Sequence, residues 1–277
     1  MKVSKHIVFN QEKLPKLKSF LDVHGISYKA LDTSIVFDIF DDDDRWEEIA
    51  QYVEARKVVL CLSETHYTKK ELSEAEWLQV RSIWRNGYPQ PESRFGYRNL
   101  TYSLSGFCSE CGCGLIQRDS FRLKAAPKWG SRHIFTLNWV DDELFVDTTA
   151  QNILQHSGLS GFHFLPVKNK SGIVEFPDVK QIMIENRSKP GIVLGNSDID
   201  IVYKCDKCGS TKYHPTGIGM HSFSRKSLSD MPDICHSYEQ FGEGVPDRLI
   251  LIRQSMYRTI IDSHLERSLV FEPIKLV

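Results

Sequence analysis

No stretch of the 277-residue chain approaches the roughly 20 apolar residues of a membrane-spanning helix. The opening run MKVSKHIVFNQEKLP returns to charge before an apolar segment of signal-peptide length has formed. Both absences create the expectation of a cytoplasmic protein with no membrane partner. Net charge is nearly absent as well. With 35 Lys and Arg against 36 Asp and Glu, the balance is −1, so no bulk field draws nucleic acid or anionic lipid. H-E-x-x-H, G-x-S-x-G and G-x-x-x-x-G-K-[ST] do not occur, which removes the signatures of zinc peptidases, serine hydrolases and P-loop enzymes. Gly217 and Gly219 in TGIGMHSFS open no strand-to-helix phosphate loop and read as a flexible turn. No carboxylate pair has a spacing that singles it out for acid–base work.

The cysteines are a more informative presence. There are seven: Cys61, Cys108, Cys111, Cys113, Cys205, Cys208 and Cys235. An odd number in a long chain with no export signal argues against a disulfide framework. Two pairs have C-x-x-C-G spacing, Cys108 with Cys111 in GFCSECGCGL and Cys205 with Cys208 in YKCDKCG. Each is half of a metal site. Cys61 and Cys235 stand alone and read as small apolar filler.

Residues 1–66 give the order β-α-β-β-α-β. HIVF is a short apolar run. Leu14, Leu17 and Leu21 lie on one helical face that stops at Gly25. ISYKA and SIVFDIF form a hairpin, DDDDRWEEIAQYVEAR a second helix, and KVVLCL (57–62) a buried strand. The order predicts a ferredoxin-like α/β domain. The acid run Asp41–Asp44 stabilises a helix N-terminus or offers a patch to a basic partner; Asp141–Glu143 has the same two readings. Residues 67–93 read as a helical connector, begun by a Thr68–Glu71 capping box, and a Pro/Gly linker.

Residues 94–277 read as an internally duplicated mixed α/β module, with repeats at about 94–190 and 191–277. Each C-x-x-C-G pair follows an alternating strand. Later, residues 143–167 and 249–274 both read as strand, helix and a strand ending in Phe-x-Pro. Leu159 falls with Leu265, Phe164 with Phe271, and Pro166 with Pro273. His156 and His264 close the matched helices, where a histidine suits the helix dipole. Asp262 and His264 lie too close to one helix end to form a triad without a nucleophile. Duplication supplies the second half of the metal site: Cys108, Cys111, Cys205 and Cys208 around one structural Zn²⁺ in a closed tetrahedral shell. The 93 residues strictly between the pairs (112–204) far exceed the 15–20 of a local zinc ribbon, so such a site joins distant segments. Separate sites using His133, His214 or Cys113, a redox dithiol, and cysteines as filler are the alternatives.

CSECG and CDKCG, followed by FGEGVPDRLILIRQSMYRTIIDSHLERSLVFEPIKLV, resemble the bacterial proteins named for a double CXXCG motif. Those are immunity proteins of polymorphic-toxin systems, including the myxobacterial swarm-toxin group. The similarity covers roughly residues 95–277 and leaves out the N-terminal unit; Cys113 is extra to the motif. It implies zinc at Cys108, Cys111, Cys205 and Cys208, no enzymatic activity, and a cognate protein toxin, for instance a nuclease, as partner. The competing class is a zinc-knuckle protein that binds single-stranded nucleic acid. The basic runs RSIWR and SFSRKS are too short to favour it. Oligomeric state is not legible in the sequence.

Overall fold

Leu17 and Leu21, four positions apart, are both fully buried, as the helical spacing of the first amphipathic segment requires. The computed structural model describes residues 1–10, 15–54, 60–195, 199–215 and 218–277. It divides into two units: Met1–Glu71 with Pro215–Gly219, and Leu72–His214 with Met220–Val277. Together they form a mixed α+β protein dominated by sheets.

The first unit runs β1 (Lys2–Asn10), α1 (Pro15–Val23), β2 (Lys29–Ala30), β3 (Ser34–Phe40), α2 (Trp46–Glu54) and β4 (Leu60–His66). Its sheet order is β2-β3-β1-β4, with every neighbouring pair antiparallel. Alternate strand residues Ile7, Phe9, Ile35, Phe37 and Ile39 meet Leu17, Leu21 and Ile49 from the helices in one core. Gly25, at φ +60°, ends α1 where a side chain would be strained. Leu14 and residues 57–59 of the expected KVVLCL strand lie outside the described residues. Within β4, Cys61 is exposed and Leu62 half-exposed, which corrects the reading of a buried strand with Cys61 as apolar filler. Among the described residues β4 is an edge strand with β1 as its one neighbour. The acid run does local work. Asp43 accepts from the Arg45 backbone N–H at 3.0 Å and from its guanidinium at 2.7 and 2.8 Å, which holds its carboxyl down at about 2; Lys2 pairs with Asp42.

Next comes α3 (Lys69–Glu74). Thr68 and Glu71 form the expected capping box, with Thr68 N–H donating to Glu71 Oε2 at 2.8 Å and Glu71 N–H to Thr68 Oγ1 at 3.2 Å. The second unit continues with β5 (Trp77–Ser82), α4 (Tyr97–Thr101), β6 (Tyr102–Ser103), β7 (Ile116–Gln117), β8 (Arg122–Leu123), β9 (Ile134–Leu137) and β10 (Val140–Val146). Then follow α5 (Thr148–His156), β11 (Phe162–Asn169), β12 (Glu175–Ile184), β13 (Ile199–Lys204), β14 (Thr211–Pro215), β15 (Ser222–Phe223) and α6 (Arg225–Leu228). The chain ends with β16 (Ile234–His236), β17 (Gln240–Phe241), β18 (Ile250–Arg253), α7 (Gln254–Asp262), β19 (Leu269–Pro273) and β20 (Lys275–Leu276).

Two sheets carry this unit, β8-β11-β12-β10-β9 and β16-β18-β5-β19. Their registers correspond. Ile182 of β12 lies opposite Leu144 and Phe164; Val80 of β5 lies opposite Ile250 and Phe271. Ile134 faces Val146 as Ile234 faces Ile252. β11 meets β8 in parallel, Lys168 opposite Arg122; β20, two residues beyond β19, meets β15 in parallel, Lys275 opposite Ser222. The period-2 strand pattern explains the layering. Leu144, Val146, Ile250 and Ile252 point into one core with α5 and α7 residues Leu154, Met256 and Ile260. Between them, Phe145 joins an aromatic core with Phe121 and Phe135, and Leu251 joins Trp77, Phe223 and Cys235. Cys235 is therefore buried, as expected of apolar filler.

The stretch 67–93 differs from a connector and linker. β5 is an interior strand, paired on both sides. The Pro/Gly run beyond it bridges Arg85 to Thr136 and donates Asn86 N–H to Thr136 O at 2.9 Å and Gln90 N–H to Arg122 O at 2.9 Å. The physical reason is that prolines suit an extended segment that bonds on alternate residues, so they do not by themselves mark a boundary.

Candidate metal centre

Each C-x-x-C pair sits in a tight turn between two short strands, β6 and β7 in one case and β13 and β14 in the other. The turns close alike. Gly112 N–H donates to Cys108 O and Gly209 N–H to Cys205 O, both at 2.8 Å; Cys108 N–H donates to Cys113 O at 2.8 Å and Cys205 N–H to Ser210 O at 2.9 Å. Gly112 and Gly209 have φ +78° and +72°, the left-handed backbone that folds each chain over its sulfurs. Gly114 is needed for a different reason: a Cβ there would lie 1.9 Å from Gly106 O.

The turns bring Cys108, Cys111, Cys205 and Cys208 together with all four sulfurs within 4.8 Å of one another. Cys108 Sγ is 3.8 Å from Cys205 Sγ, and Cys111 Sγ is 3.4 Å from Cys208 Sγ. Four thiolates at about 2.3 Å from a common ion stand about 3.8 Å apart along each tetrahedral edge, so the group can hold a metal ion. Cys108, Cys111 and Cys205 are buried and Cys208 is exposed. Backbone N–H groups of Cys111 and Glu110 point at Cys108 Sγ and lower its pKa. The hydroxyl and N–H of Ser210 bring Cys208 down to about 6, while burial pushes Cys111 up. N–H donors aimed at sulfur favour the thiolate, the form that binds metal.

Among the described residues no other group of three or more His, Cys, Asp or Glu lies within ligand reach. His133 is held by Asp147 at 2.8 Å beside the start of α5, and His214 is exposed. Cys113 is buried beside the cluster but is not one of the four clustered sulfurs. Ser210 stands at the matching place in the second turn, its Oγ 3.3 Å from Cys208 Sγ. The extra cysteine thus packs against the cluster without belonging to it. Asp141 pairs with Arg85, and His156 Nδ1 meets Asn152 O within α5, local roles for both.

Sequence reasoning missed Lys212. This lysine is 3% exposed and has no carboxylate partner among the described residues. Its ammonium donates to Cys111 O at 3.1 Å, to Gly244 O at 3.0 Å and to Glu243 O. It ties β14, beside the second cysteine pair, to the first pair. TKYHP alternates like a half-exposed strand, so no local signal marks the lysine as buried. Lys207 to Ser109 and Tyr203 to Glu110, each at 3.3 Å, add two weaker links between the turns. Among the described residues no helix is long and apolar enough to cross a membrane. No protein-family model matches the chain, and no curated protein matches it.

Proposed function

We propose that this chain is a non-enzymatic, cytoplasmic binding protein whose C-terminal region is clamped by one structural zinc ion, and that it acts as an immunity protein against a cognate protein toxin. The observation that carries the reading is the convergence of four sulfurs from turns 97 positions apart (Cys108 and Cys205). A four-thiolate shell leaves no open position for water or substrate, so its contribution is folding energy. Zinc with four thiolates has a net charge of −2, and the buried Lys212 ammonium beside it supplies compensating charge. The double C-x-x-C-G resemblance supplies the immunity role.

Two further readings belong here. The order β2-β3-β1-β4, with antiparallel neighbours, supports a ferredoxin-like N-terminal domain. The matched registers support an internal duplication in which the two copies exchange a strand. β5, which precedes the first cysteine pair, fills the place in the second sheet that β12, which precedes the second pair, fills in the first. A partner-binding role is supported by an exposed aromatic group. Trp139 stands 4.4 Å from Tyr88 and 4.7 Å from Phe95, with the Arg98 guanidinium 4.3 Å above the Phe95 ring. Trp, Tyr and Arg dominate interface hot spots. Trp139 and Phe95 hold φ +70° and +54°, strain that fixed aromatic anchors justify.

The test is co-expression with the product of the adjacent gene. Growth rescue and co-purification as a stable complex are expected. No rescue and no complex, with affinity for single-stranded nucleic acid that falls steeply with salt, would replace the immunity reading with the nucleic-acid one.

A further inference from the structure

The four clustered sulfurs belong to residues that solvent reaches unequally. Cys108, Cys111 and Cys205 are 5%, 3% and 1% exposed, whereas Cys208 is exposed. Cys208 sits in the turn between β13 and β14, and nothing lies within 4 Å of a Cβ built on the next residue, Gly209. Solvent therefore meets the cluster at this end of the second turn. Cys208 Sγ is 3.3 Å from Ser210 Oγ and 3.4 Å from Cys111 Sγ. Both sulfur–sulfur contacts in hydrogen-bond range, Cys111 to Cys208 and Cys108 to Cys205, cross from one turn to the other.

An oxidant-sensitive cysteine needs access to the oxidant and a second thiol near enough to capture the first oxidation product. Cys208 meets both conditions. Closing the 3.4 Å gap to Cys111 down to the length of a disulfide takes a shift of roughly 1.4 Å, within the reach of side-chain rotation in an open turn. Cys61 is exposed as well, but no sulfur–sulfur contact in hydrogen-bond range involves it among the described residues. Cys113 is buried beside the four, so it lacks the access.

We infer that Cys208 is an oxidative modification site, at which a hydroperoxide converts Cys208 and Cys111 into a disulfide that joins the two turns in place of the metal. The Cys208 thiolate attacks one peroxide oxygen, the O–O bond breaks, and hydroxide leaves and is protonated to water. Cys208 is now a sulfenic acid. The Cys111 thiolate attacks that sulfur, the S–S bond forms, the S–O bond breaks, and a second hydroxide is protonated to water. Two thiolates, one hydrogen peroxide and two protons thus give one disulfide and two waters, with two electrons passing from sulfur to oxygen. The site loses two of its four thiolates and its metal with them. The link spans 97 positions, so the turns stay joined, whereas a disulfide within either C-x-x-C pair would leave them apart. The disulfide rests on the sulfur geometry, and the metal loss on the proposed zinc site.

The test treats the full chain, as purified and with its metal quantified, with graded hydrogen peroxide. Dimedone traps sulfenic acid, and peptide mass mapping without reduction locates each disulfide. Among the clustered cysteines dimedone is expected first on Cys208, and the first disulfide is expected between Cys111 and Cys208. Metal leaves in step with that link, and dithiothreitol with added zinc reverses both changes. The oxidised chain melts above the reduced chain stripped of metal, because its turns remain tied. Cys113→Ser gives the same link. First labelling of another clustered cysteine, a first disulfide within one C-x-x-C pair or to Cys113, or metal loss with Cys208 unmodified overturns the inference. A chain that carries no zinc as purified contradicts the zinc reading, and the disulfide map still decides this one.

Discussion

Cys108 Sγ and Cys205 Sγ lie 3.8 Å apart although 97 positions separate them in the chain. The two cysteine pairs therefore act as one unit, and loss of either breaks the same site. Cys108→Ser and Cys205→Ser are expected to lower the melting temperature of the second unit to a similar extent and to abolish stoichiometric metal, read by differential scanning calorimetry and elemental analysis. A large effect from one and none from the other would contradict a shared ion.

Gly114→Ala places a methyl 1.9 Å from the Gly106 carbonyl oxygen at φ +94°. Both faults act on the backbone, where neighbours cannot rotate away, so destabilisation of at least about 2 kcal/mol is expected. Gly209→Ala meets nothing within 4 Å and keeps only its φ of +72°, so its cost is smaller, of order 1 kcal/mol. Chemical denaturation of the two variants checks the order.

Lys212→Met removes three donors to carbonyls and a buried cation beside the thiolates. The fold keeps its volume but leaves Cys111 O, Glu243 O and Gly244 O without that partner. Stability falls by about 2 kcal/mol. Metal release to a chromogenic chelator is expected to quicken at least tenfold; unchanged release would remove Lys212 from the account.

Asp247 ionises near 3.8 in the unfolded chain and at about 8 when folded, because of burial and then the Asp142 and Asp141 charges. Between those values the folded chain holds a proton that the unfolded chain releases. This group's contribution to stability thus falls as pH rises from about 4 to about 8 and is level beyond. Asp247→Asn removes that loss. The variant is expected to gain on the wild type from pH 5 to pH 8, at roughly 2–4 °C per kcal/mol. A constant difference in melting temperature would contradict the raised pKa.

A chain starting at residue 94 lacks β5, so β18 and β19 lose their common neighbour. It is expected to be aggregated or unfolded by circular dichroism and size exclusion, whereas a chain starting at residue 72 keeps Trp77, Leu78 and Val80 and folds. Cooperative folding of the shorter chain would show β5 to be dispensable.

The four clustered cysteines were legible because C-x-x-C-G is a local signal, and the capping box at Thr68 for the same reason. The strand–helix–strand order of 143–167 and 249–274 could be read from periodicity. β5 could not. WLQVRS places polar Gln79 and Arg81 on one side, lies next to a proline-rich run, and finds its partners about 170 residues later in the chain. Lys212 was hidden in the same way: it is a charged residue whose importance comes from the carbonyls it touches in space, and no spacing rule reports that.

The most direct measurement is X-ray absorption at the zinc edge, with metal quantified per chain. The account predicts one zinc ion bound by four sulfurs at about 2.3 Å, with sulfur number falling in Cys205→Ser. A chain purified without metal that is equally stable, or a zinc shell with nitrogen or oxygen in place of sulfur, would contradict it.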